Sequence, residues 1–350
     1  MSAARIVIRS LIAVLALGAL VVQGGAAWGA RWVWDNEQLL KDQLIAQQFD
    51  ASSEIQELVT QAGLSETGEL YLMTSLPQVV PAIEFARYCS RNEPGIGVLG
   101  CYTLNDRRIY LFDVTDPRLT SIEPVVAAHE MLHAAWARLT AAEKEEIAIL
   151  LEEAFASLPS THPLYERIAS YESFSAASRI PELYSIIGTE IATIPAPLEA
   201  HYAQYFADRA KVVAHADAVD AVFESLQQEL TDLSNELTSL NAEIDGLRFA
   251  YDEANAALRA DINAFNEKAS TPGAFPSKSQ FEQARVPLQE RQARLETMRS
   301  TLQSKIAEYN LRLDELTTLN NEVSELNQGI NITLESKDEL ISSEETLSEN

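Results

Sequence analysis

His129-Glu130-Met131-Leu132-His133 places two imidazoles and a carboxylate within one short stretch of chain. On an α-helix, residues four apart stand one turn above each other, so both rings reach one ion from the same face while Glu130 lies beside the open coordination position. A divalent cation held there activates water for attack on a carbonyl, and the neighbouring carboxylate is placed to take the proton released. The flanks Val126-Ala127-Ala128 and Ala134-Ala135-Trp136 are uncharged and mostly small, as a buried helix requires. An accidental match on a solvated helix would carry Lys or Glu at such positions.

With these flanks, Val126 to Ala135 resembles the zincin metallopeptidases, and the resemblance is confined to this helix. It implies Zn2+ as cofactor, His129 and His133 as ligands, Glu130 as the catalytic base and hydrolysis of peptide bonds as the reaction. Trp136 and Leu139 stand where the metzincin branch carries a Gly and a third His, so the chain is similar instead to the gluzincin branch, whose third ligand is a Glu on a later helix. Glu152 and Glu153 belong to a helix in which Thr140 and Glu143 form a capping box. Its stripe of Ile147, Leu150, Leu151, Ala154, Phe155 and Leu158 leaves both acids toward solvent. Glu182 follows Pro181, which can open a helix, and Glu182-x-x-Ser185 looks like the gluzincin Glu-x-x-Ala/Ser pattern, whose small residue allows close helix approach. Glu182 is therefore the expected third ligand and Glu190, at or past the helix end, the alternative. The acid not used is expected to support the site or to pair with an arginine such as Arg179 or Arg209. No Asp or Glu stands four residues after Glu182, where several gluzincins orient a zinc histidine.

His162 precedes Pro163 in a loop, and His201 opens His201-Tyr202-Ala-Gln-Tyr205. Either histidine is a ligand only if the carboxylate is not. His201, Tyr202 and Tyr205 are candidates to stabilise an oxyanion, or else form an aromatic stripe that packs a helix onto the catalytic domain.

These side chains need a scaffold. Gly100 to Val114 reads as two strands joined at Asn105-Asp106, and Thr115-Asp116-Pro117 breaks the chain before a helix of about Ile122 to Leu139. The zincin resemblance implies that an edge strand here pairs with the substrate backbone, with Ile109 and Leu111 on the expected strand. Cys89 and Cys101, the only cysteines, bracket a Pro-Gly loop and read as one disulfide worth about 3 kcal/mol in the chain-entropy model.

Arg5 and Arg9 precede an apolar run from Leu11 that directs the chain to the secretory machinery. Gly25-Ala26-Ala27 offers a cleavage site, which would release the protein. An uncleaved signal anchor with the C-terminus outside suits Trp28, Trp32 and Trp34 better, since tryptophans favour the membrane interface. The expected location is extracytoplasmic.

Beyond Val219 the apolar positions Val222, Leu226, Leu230, Leu233, Leu237, Leu240, Ile244, Leu247, Tyr251, Ala254 and Leu258 alternate steps of three and four. Thr271 to Pro276 interrupts them, and a second seam runs through Leu288, Leu295, Met298, Leu302, Ile306, Tyr309, Leu313, Leu316, Val323 and Leu326. Two such arms around a Pro-Gly turn predict an antiparallel coiled-coil hairpin, each arm reaching about 75 Å. Pro287 is expected to kink the return arm or mark its start. A net charge of −26 disfavours nucleic acid as a partner.

The expected fold is thus α+β and mainly helical. Residues 1–30 form a signal segment, 31–54 a helical juxtamembrane linker, 55–209 a small zincin-like domain, 210–334 the hairpin with its turn near 269–277, and 335–350 an acidic disordered tail. Two functions fit: a membrane-attached or secreted zinc endopeptidase acting on extracytoplasmic proteins or peptides, or a non-catalytic coiled-coil envelope scaffold that keeps the zincin fold. In either case the hairpin offers a surface for an envelope partner or for self-association.

Overall fold

In a computed structural model the chain is described at residues 18, 23–34, 36–89, 99–174 and 177–330. It is mainly helical with one small sheet and two very long helices. Contacts divide it into two units, one reaching to Val219 and the other spanning Asp220–Gln328.

The first unit begins with α1 (Glu37–Gln48), α2 (Ser53–Gln61) and α3 (Glu66–Thr74), followed by β1 (Gln78–Val80) and α4 (Ala82–Tyr88). Then come β2 (Gly100–Thr103), β3 (Arg108–Phe112), α5 (Ile122–Arg138), α6 (Ala141–Ala156), α7 (Leu164–Phe174), α8 (Arg179–Glu190) and α9 (Ala196–Tyr202). α5 runs through the core: Ala127, Ala128, Met131, Leu132, Ala134 and Ala135 are completely buried. The four alanines among them let neighbouring elements come close, which the flanks of the histidine motif anticipated. α6 begins with the expected capping box, in which the Thr140 hydroxyl accepts from the Glu143 N–H while the Glu143 carboxylate accepts from the Thr140 N–H.

The sheet corrects one expectation. Its strand order is β1-β3-β2, with β3 parallel to β1 and antiparallel to β2. β3 is therefore the central strand, and Ile109 and Leu111 are 0% and 2% exposed. They cannot offer main-chain groups to a substrate, because both sides of β3 are already paired. The edges belong to β1 and β2, and it is β2 that packs against the histidine helix. Phe112 N–H donates to the Leu99 carbonyl, and Gly100 faces Leu111 across the pair, so the antiparallel alternation turns the Gly100 N–H and C=O away from β3.

Cys89, just after α4, is disulfide-bonded to Cys101 of β2, with a Cα separation of 5.7 Å. Beside this bond Tyr88 stacks on Tyr110 of β3 with ring centroids 4.2 Å apart.

α1 is a part of the first unit, where the sequence led us to expect a linker. Asp42 is buried and its carboxylate takes both the Nε and Nη2 hydrogens of Arg138, at 2.9 and 3.1 Å. Residues 23–34 are also helical, with Trp28, Trp32 and Trp34 exposed. Among the described residues, no helix is long and apolar enough to cross a membrane. The apolar run expected to act as a signal segment, Gly18 and residues 23–30 apart, and the acidic tail lie outside the described residues.

The second unit is carried by α10 (Arg209–Ser270) and α11 (Lys278–Ile330). Val212, Val213 and Ala216 belong to the core of the first unit, so the division between the units falls after Val219 instead of at Arg209. Ion pairs Glu236–Arg312, Glu243–Lys305 and Asp261–Arg291 link positions that ascend in one helix as they descend in the other, which makes the arms antiparallel. Gly273 sits in the turn at a φ of 81°, a conformation that favours glycine, and Phe265, Phe275 and Phe281 cluster around the tip. Leu237, Leu240, Ile244 and Leu258 are buried in the seam as expected. Leu313 is 41% exposed, while Leu319, which the expected seam passed over between Leu316 and Val323, is buried. Pro287 lies inside α11, whose start at Lys278 precedes it.

Candidate metal centre

α5 and α8 build the site together. His129 and His133 lie one turn apart on α5 with their rings 4.8 Å apart at 72°, and their Nε2 atoms are separated by 3.1 Å. Glu182 comes from the first turn of α8 and is 3% exposed. One of its oxygens lies 3.4 Å from Nε2 of His129 and the other 3.5 Å from Nε2 of His133. In a tetrahedral zinc site, with ligands about 2.0–2.1 Å from the ion, neighbouring donor atoms stand about 3.3 Å apart. The three observed separations are close to the edges of that tetrahedron, so the donor set fits a small divalent cation. Among the described residues, these three form the one group of His, Cys, Asp or Glu side chains able to hold a metal.

The electrostatics agree with the geometry. Burial pushes the Glu182 carboxyl upward, but the charge of His133 and the hydrogen bonds of both histidines outweigh it and hold the group well below the usual carboxylate range. An ionised carboxylate buried to this degree needs positive charge close by.

Local sequence explains how Glu182 arrives there. Ser178 is the N-cap and Pro181 the third helical residue, not the first; the N–H groups of a first turn have no partner within the helix, so proline costs little at that position. α8 then passes very close to its neighbours. A Cβ on Gly188 would lie 2.5 Å from Leu132 Cδ1 and 2.8 Å from Tyr202 Cε1, so only glycine lets α8 seat against α5 and α9. Ser185 is fully buried, in keeping with the close approach its small size suggested.

Glu190 ends α8 but is drawn away by Arg167, whose Nη1 donates to it at 2.7 Å. Arg179 and Arg209, the expected partners, are held by Glu152 and Glu199. Glu182→Ala is therefore expected to weaken metal affinity by at least about 100-fold, while Glu190→Ala leaves it within about twofold; titration of the chelator-stripped chain with metal checks both.

The oxyanion candidates Tyr202, Tyr205 and His201 cluster with Tyr184. The Tyr202 hydroxyl donates to the Tyr184 carbonyl at 2.6 Å and is completely buried, so its proton is already engaged. Tyr184 Oη pairs with His201 Nε2 at 2.9 Å, and Tyr205 packs against His201 and Tyr71. Burial raises the Tyr184 and Tyr202 hydroxyls well above their ordinary value and lowers His201, which keeps all three neutral. Their rings pack against one another, as an aromatic stripe would. His162 Nδ1 accepts from the Leu164 N–H at the start of α7 and takes no part in the site.

Glu130 stands between the two histidines in sequence and is 6% exposed. Among the described residues, no group hydrogen-bonds to its carboxylate, so its lone pairs are available to a proton. What lies against it is Gly100: a Cβ there would fall 2.8 Å from Glu130 Cγ and 2.9 Å from Oε1. Sequence reasoning missed this contact, although an isolated glycine opening a strand is a signal of close backbone approach.

Neither protein-family models, curated proteins nor solved structures contain a match to this chain.

Proposed function

We propose that this chain is a zinc-dependent endopeptidase built on a gluzincin-like zincin domain, extracytoplasmic and attached to the membrane through its N-terminal segment. The observation that carries the reading is the convergence of three donor atoms at tetrahedral spacing, two of them on the helix that also carries the buried Glu130, whose carboxylate has no hydrogen bond among the described residues. His129, His133 and Glu182 would hold the ion. When bound, zinc supplies Lewis acidity that polarises a scissile carbonyl and acidifies water. Glu130 accepts the proton as water attacks and returns it to the leaving amine. The outward-facing N–H and C=O of Gly100 on β2 give an extended peptide a strand to pair with, which favours recognition of the substrate backbone over its side chains.

The test is a metal-exchange experiment on the full chain with a mixed peptide library read by mass spectrometry. Hydrolysis is expected in the zinc-loaded protein, to vanish on chelation and to return with added zinc. A protein that binds the ion and cleaves no peptide leaves the hairpin-bearing scaffold as the better account.

A further inference from the structure

Buried carboxylates are ordinarily held by hydrogen bonds or ion pairs. Glu130 has neither among the described residues, and its oxygens are not among the polar atoms sealed away without a partner, so water reaches the carboxylate while packing against the strand constrains its stem. Two surfaces define that packing. Val126 precedes Glu130 by one turn on the same face of α5, and the backbone of β2 closes over both at Gly100. A Cβ at residue 100 would lie 2.5 Å from Val126 Cγ1 as well as 2.8 Å from Glu130 Cγ. Gly100 does not have the positive φ seen at Gly63 and Gly273, so glycine is needed here for space and not for backbone freedom. The strand is also fixed from its other end of contact, since the next residue, Cys101, is bonded to Cys89 and pairs with Tyr110.

We propose that Gly100 is the positioning residue for Glu130: bare strand backbone, pinned by the Cys89–Cys101 disulfide, forms the wall that aims the carboxylate without consuming its lone pairs. Hydrogen-bond donors could hold the group equally firmly, but each would weaken it as a proton acceptor. A wall has no such effect. The inference rests on the reading of Glu130 as the base. It goes further in making the strand next to the base, and not only the helix that carries it, responsible for the rate.

The experiment separates the contact from the chemistry. In a Val126→Ala background, which removes the overlap with the valine, Gly100→Ala is expected to lower the melting temperature of the full chain by about 5 °C. Adding Glu130→Ala should abolish that loss, since the methyl group then has room. In the same background Gly100→Ala is expected to keep its zinc content, while kcat falls about 100-fold, as a misplacement near 1 Å would cause. If the two substitutions melt independently, or if the parent hydrolyses peptides and the Gly100→Ala chain keeps its kcat, the inference is overturned alone. A parent chain that hydrolyses nothing overturns the base itself, and the inference with it.

Discussion

Glu130→Gln is expected to bind zinc at the parent's stoichiometry and to hydrolyse peptide about 100- to 10,000-fold more slowly. The amide has the shape of the carboxylate, so it should rest against Gly100 and Val126 as the native side chain does. It is not among the three converging donors, so the ion should stay. What it lacks is a lone pair basic enough to take a proton as water attacks, and positioned general bases contribute about 100- to 10,000-fold. Glu130→Asp serves as the comparison. It keeps the charge but withdraws the carboxylate by one methylene, and a shift of that size is expected to cost about 100-fold. Single-turnover rates measured beside metal content separate these cases. A Glu130→Gln chain within tenfold of the parent rate would remove Glu130 from the chemistry while leaving the metal centre intact.

The part of the site legible in the sequence was the part encoded locally. His129, Glu130 and His133 lie within little more than one helical turn, and helical periodicity alone puts the histidines on one face. Glu182 was favoured for a similar reason, as a residue of a first helical turn with Ser185 one turn on. The alternative, Glu190, needed information that spacing does not carry: Arg167, from another helix, reaches it with a 2.7 Å hydrogen bond. The sheet failed for the same reason. Gln78–Val80 is too short for alternation to reveal it, yet its parallel pairing with β3 puts Ile109 and Leu111 in the centre and leaves β1 and β2 as the edges. The disulfide was readable because two cysteines allow one pairing. In the hairpin, the heptad steps located both arms and the turn, but on the return arm Leu313 lies off the seam and the buried step at Leu319 was passed over.

Asp42→Ala is expected to cost about 3–5 kcal/mol, the usual penalty for leaving one partner of a buried ion pair uncompensated, and to lower the melting temperature of the first unit by about 10 °C. The side chains of Arg138 and Asp42 are 9% and 4% exposed, so water cannot replace the lost carboxylate. Burial opposes the Arg138 charge, but the hydrogen bonds of Asp42 more than offset it and hold the guanidinium above its usual value. Without Asp42, Arg138 still donates to the Thr74 hydroxyl and the Ala134 carbonyl, and neither supplies charge. Arg138 also ends the helix that carries both histidines. The variant should therefore bind zinc more weakly at temperatures where it is still folded, because fraying at the end of α5 starts one turn from His133. Replacing the pair together, as Asp42→Leu with Arg138→Met, should cost much less than Asp42→Ala, since no buried charge is then left behind. Equal losses for the single and paired replacements would mean that α1 is held by packing alone, and that the buried charge does not tie it to the helix of the metal centre.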